Sequence, residues 1–155
     1  MTNAIIPTGL VVLGGLTLAA TRAPMDWYGS FKASDGSALQ GSARVEPVGK
    51  DSSRVQIEVT GAKSGGQLPW HIHSGACGGK GAVFGDAKAY PLLRVDSYGK
   101  ASSQATLPLP APSSGSYAVM VHRSASDMSP VACGALKPEA STPSYPQRDT
   151  AGYRP

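Results

Sequence analysis

The sequence predicts an all-β domain, and three observations carry that expectation. Nineteen Gly and 13 Pro make up about a fifth of the 155 residues, a content that weakens helix interiors and suits turns between short strands. From Trp27 onward, apolar and polar residues alternate in short runs. Turn residues interrupt these runs about every ten positions, the spacing of a β-sandwich or barrel.

The chain opens on an uncharged apolar run, IIPTGLVVLGGLTLAA at positions 5–20, which leads into Thr21-Arg22-Ala23-Pro24. Residues 1–23 therefore read as a signal peptide or an N-terminal anchor, although no Lys or Arg precedes the run. The run is short for a span of about 20 residues, and Pro7, Gly14 and Gly15 weaken it as a helix. Export to a periplasmic or secreted location is the expectation. Membrane association follows only if the segment is retained.

Residues 24–136 form the predicted domain. Gly41 to Val48 sets Ala43 and Val45 on one face. Arg54 to Thr60 alternates more strictly, with Val55, Ile57 and Val59 inward and Arg54, Gln56 and Glu58 outward. Asp51-Ser52-Ser53 between them reads as a hairpin turn. Leu68 to His73 is strand-like, and Gly75 to Asp86, with Gly78, Gly79, Gly81 and Gly85, reads as a long irregular loop of the kind that often carries function. Further strands are expected at Tyr90 to Val95, Ser103 to Leu109 and Ser116 to Arg123. Residues 137–155 (KPEASTPSYPQRDTAGYRP) contain four Pro and almost no aliphatic side chains, and disorder is expected there.

Composition excludes several functions. A chain of this length is expected to be one domain, which disfavours a two-domain enzyme. Its 14 basic residues exceed the 10 acidic ones by four without forming any run, so no nucleic-acid partner is expected.

Chemistry concentrates in six residues. His71 and His73 flank Ile72, and on a strand their side chains project from one face, close enough to hold one ion. His122, the third and last histidine, shares a face of its run with Ala118 and Met120. Two neighbouring strands would thus present three imidazoles, a donor set that suits copper, zinc or nickel. Met120 is a candidate axial ligand through its soft thioether, with core filling as the competing role. The two cysteines, Cys77 and Cys133, read in an exported chain as one disulfide, or else Cys77 is a thiolate ligand and Cys133 is free.

The stretches PWHIHSGACG, AYPLL and SGSYAVMVHRSASDMSPVACGAL, taken in order, resemble the Cu,Zn superoxide dismutase family. The likeness is to its bacterial copper-binding branch, which lacks the zinc site and the bridging histidine, and it spans GSARVEP through ACGAL. It implies an eight-stranded Greek-key β-barrel of sandwich type, copper in its Cu(I) and Cu(II) states on His71, His73 and His122, and a disulfide between Cys77 and Cys133. The departures are specific. No histidine lies between His73 and His122, so neither a bridge nor a zinc site is expected, and Asp86 alone cannot replace them. Pro130 stands where the family places its substrate-guiding arginine. The expectation is an exported copper-binding protein acting in copper binding or tolerance. The alternative is a copper-only superoxide dismutase converting superoxide to oxygen and hydrogen peroxide, and a third class is a structural β-module with incidental histidines.

Overall fold

The computed structural model describes residues 25–139. The leader expected at 1–23 lies outside the described residues, as does the tail from residue 140 onward. About half of the described residues are strand: β1 (Asp26–Ala33), β2 (Gln40–Pro47), β3 (Ser53–Thr60), β4 (Gln67–Leu68), β5 (Trp70–Ser74), β6 (Leu93–Arg94), β7 (Ala101–Leu107), β8 (Tyr117–His122) and β9 (Pro130–Glu139). One 3-10 turn, Ala87–Ala89, is the only helical element among them. The all-β expectation holds.

Seven strands form one antiparallel sheet in the order β5-β8-β9-β1-β2-β3-β7, and β4 pairs with β6 beside it. The sheet curls. Ile57 on β3 and Leu107 on β7, at one end of the order, share a single core with Ile72 on β5 and Val119 on β8, at the other end. Each of these side chains is essentially removed from water, a burial that stabilises by roughly 1.5–3 kcal/mol per side chain. The two tryptophans enter this core with their polar edges satisfied: Trp27 Nε1 donates to the Pro112 carbonyl and Trp70 Nε1 to the Pro91 carbonyl, each at 2.8 Å.

The predicted alternation of β3 is present, with Val55, Ile57 and Val59 buried and Arg54 ion-paired outward with Glu46 at 2.9 Å. Three expectations need correction. Tyr90 to Val95 is strand only at Leu93–Arg94, because Pro91 has no N–H for a ladder and its carbonyl is taken by Trp70 and Ser103. Leu68 to His73 is interrupted at Pro69 for the same reason. The domain also runs past residue 136. Lys137, Pro138 and Glu139 continue β9 against Tyr28, Trp27 and Asp26. Beyond Leu136 that strand has β1 on one side only, so Pro138 costs no ladder bond on the open side.

A candidate metal centre on the outer face of the sheet

β5 and β8 lie side by side, with Trp70 opposite Val121, His71 opposite Met120, Ile72 opposite Val119 and His73 opposite Ala118. Directly opposed residues in an antiparallel ladder project to the same side. Trp70, Ile72, Val119 and Val121 all belong to the core. His71, His73, Ala118 and Met120 therefore stand on the opposite, outer face. A bulge interrupts the β8–β9 ladder between Val121 and His122, but the extra residue, Val131, is on β9. β8 keeps its alternation, and His122 joins the outer face. The His122 N–H donates to the Pro69 carbonyl at 2.8 Å, continuing the ladder to β5.

One donor nitrogen from each of His71, His73 and His122 lies within 4.8 Å of the others. His71 Nδ1 and His122 Nε2 are 3.2 Å apart. Nitrogens sharing an ion can be separated by at most about 4.1 Å, twice the usual metal–imidazole bond, so a small ring rotation takes this arrangement to a bound one.

Backbone carbonyls set the tautomers. A carbonyl only accepts, so His73 Nδ1 donates to Gly81 O at 2.9 Å and His122 Nδ1 donates to Met128 O at 2.8 Å. Both rings consequently present a bare Nε2 lone pair to the cluster. His73 Nε2 is buried with no hydrogen-bond partner. An orphaned lone pair of this kind costs desolvation energy that a cation would recover.

The loop from Gly75 to Asp86 packs against β5. Gly75, at φ +92°, turns the chain out of β5. Ser74 N–H donates to Ala82 O at 2.9 Å and Phe84 N–H to Ile72 O at 2.8 Å, with an isolated bridge pairing His73 and Val83. A Cβ on Gly81 would overlap the Ser74 carbonyl, so only glycine brings its own carbonyl to His73. Cys77 is disulfide-bonded to Cys133 on β9, across 56 positions, which removes Cys77 from the donor set. Tyr90 closes the far end. Its hydroxyl donates to Phe84 O at 2.6 Å, and its ring sits edge-on 5.2 Å from His71. Asp86 is engaged as the cap of the 3-10 turn, accepting from Lys88 N–H at 2.9 Å.

The second loop, between His122 and β9, is shaped by Asp127. Its carboxylate accepts from Ser129 N–H at 2.9 Å and pairs with Arg123 at 3.1 Å, and the turn it closes presents Met128 O to His122. The Ser129 hydrogen bonds, with help from Arg123, hold the Asp127 carboxyl below the usual carboxylate range.

Electrostatics favour neutral imidazoles. Burial, then the charges of His122 and His73, push His71 down to about 4, while the Ala87 backbone opposes the change. Burial also lowers His122, against the Met128 carbonyl, with His73 adding to the depression. In His71 and His122 the neutral, metal-binding form is thus the favoured one.

All three predicted histidines are brought together, and Met120 lies on their face in register with His71. Sequence reasoning missed the carbonyls of Gly81, Met128 and Ala87, because backbone groups leave no residue signature. The glycine-rich loop was the one available hint. No helix among the described residues is long and apolar enough to cross a membrane, and the disulfide belongs to an oxidising compartment. No protein-family model matches the chain, and no curated protein matches it.

Proposed function

We propose that this is an exported, periplasmic or secreted copper-binding protein of the superoxide dismutase type, with a Greek-key barrel and a mononuclear copper centre on His71, His73 and His122. The observation that carries the reading is the convergence of three imidazoles, two of them locked by backbone carbonyls with Nε2 turned to the cluster, and one of those nitrogens buried without a partner. Three imidazoles are a borderline-soft donor set with high affinity for copper, and the sequence resemblance narrows the choice among imidazole-binding metals. No fourth histidine exists in the chain to bridge to a zinc ion.

Copper bound here would supply one-electron chemistry. The residues around it favour holding the ion in copper binding or tolerance over turning over superoxide. A dismutase needs a positive group that steers the anion to the metal. Pro130 offers none, and the Arg123 guanidinium is engaged with Asp127.

The test is titration of the full chain with Cu(II), followed by electron paramagnetic resonance. One equivalent with nitrogen hyperfine structure is expected, lost in His71→Ala and His122→Ala. No stoichiometric site, or an unchanged spectrum in both variants, sinks the reading. Loaded protein freed of unbound copper is expected to remove superoxide little faster than the uncatalysed reaction, and a much faster rate would favour the dismutase alternative.

A further inference from the structure

We infer that the Met120 thioether is a fourth ligand of this centre, engaged when the copper is cuprous, so that the protein retains Cu(I) as well as Cu(II). The inference rests on the copper reading above and specifies which oxidation state the site is furnished to hold.

Two observations place Met120. In the β5–β8 ladder its register partner is His71, and in the β8–β9 ladder it is Cys133. Directly opposed Cα atoms are about 4.5–5.5 Å apart, a gap that an unbranched side chain with three rotatable bonds spans. Met120 is also 5% exposed yet is no member of the hydrophobic core cluster, whereas its neighbours Val119 and Val121 are. A buried methionine is ordinarily core filler. This one is buried on the face that carries the histidines.

The chemistry of the row is selective. Cys133 offers no thiolate because it is disulfide-bonded to Cys77, so among the row His71, Met120 and Cys133 the thioether is the one free sulfur donor. A thioether is neutral, carries no proton to lose and is soft, so it adds little to Cu(II) binding and much to Cu(I) binding. Opposite His73 the sheet instead places Ala118, whose methyl leaves that ring unobstructed.

X-ray absorption on the full chain tests this, with copper supplied anaerobically as a Cu(I) acetonitrile complex and separately as Cu(II). A sulfur scatterer is expected in the first shell of the Cu(I) protein, with nitrogen or oxygen alone in the Cu(II) protein. In Met120→Leu the sulfur should vanish and Cu(I) affinity should fall about ten- to a hundred-fold, while Cu(II) affinity changes less than about three-fold. Should Met120→Leu fail to fold, selenomethionine labelling of a Met25→Leu, Met128→Leu chain gives the answer, because Met120 is then the one labelled methionine among the described residues and its selenium replaces sulfur in the Cu(I) shell. A nitrogen-only Cu(I) shell, or unchanged Cu(I) affinity in a folded Met120→Leu, overturns the inference and leaves the three-histidine reading standing. Failure to retain copper in either oxidation state, or retention undiminished in His71→Ala, overturns both.

Discussion

His71 Nδ1 and His122 Nε2 face each other at 3.2 Å from neighbouring strands, with the His122 ring held by a carbonyl on its far side. Two imidazoles so placed cannot both carry a charge. Burial adds to that repulsion and is the larger cause of the low His71 value, about 4.

A pH dependence of stability follows. In the unfolded chain a histidine takes up its proton near pH 6.5, whereas the folded His71 does so only near 4. Between those values the unfolded state binds more protons, so stability is complete above about pH 6.5, declines as pH falls towards 4, and levels off below. The loss attributable to His71 is on the order of 3 kcal/mol. Denaturant unfolding of metal-free protein at pH 7, 5.5 and 4 should show the decline, reduced in His71→Gln. A flat profile would contradict the assignment.

Much of this centre was legible in the chain. The i, i+2 spacing of His71 and His73, and the alternation that puts Met120 and His122 together, survive folding because both segments are true strands and the bulge falls on β9. Strands β1 and β9 were harder to read. In β1 the buried positions are Trp27, Gly29 and Phe31, and glycine blurs the apolar period, while Pro130, Gly134 and Pro138 in β9 imitate turn chemistry. Pairing with β8 and β1 overrides that local preference. The carbonyl partners of the histidines are set by loop paths, which no residue type announces.

Ser53 marks a place where the core is not optimal. Its hydroxyl is fully buried at the start of β3, opposite Pro47 and Leu107, and has no partner. Removing an unsatisfied polar group recovers its desolvation cost, so Ser53→Ala should stabilise the domain by about 1 kcal/mol. Ser53 pairs with neither histidine strand, so copper affinity should not change. A lower denaturant midpoint would mean that the hydroxyl has a partner in solution.

The disulfide closes 56 positions of chain. In the loop-entropy picture such a link stabilises by about 4 kcal/mol, and the double variant Cys77→Ser with Cys133→Ser should lose a comparable amount in urea unfolding. Copper affinity should fall as well, because Cys77 anchors to β9 the loop that carries Gly81. Loss of stability with copper affinity retained would show that the hydrogen bonds of Ser74 and Phe84 suffice to hold the loop.

Gly81 is the sharpest test of how the loop sets the centre. A side chain there would overlap the Ser74 carbonyl, so Gly81→Ala must lift the loop from β5 and lengthen the 2.9 Å hydrogen bond that fixes the His73 tautomer. Without that acceptor the Nδ1 proton has no preferred site, and Nε2 is no longer held bare toward the other two rings. Losing such a partner typically costs ten- to a hundred-fold in metal affinity, roughly the loss expected here for Cu(II). The disulfide and the core are untouched by the change, so the thermal midpoint of the metal-free protein should move by only a few degrees. Gly79→Ala is the control. Gly79 lies in the same loop, and the nearest atom to its added Cβ, the Ala76 carbonyl oxygen, is 3.0 Å away, a contact the loop can relieve by a few tenths of an ångström. Equal loss of copper affinity in both variants would show that loop stiffness, rather than the Gly81 carbonyl, organises His73.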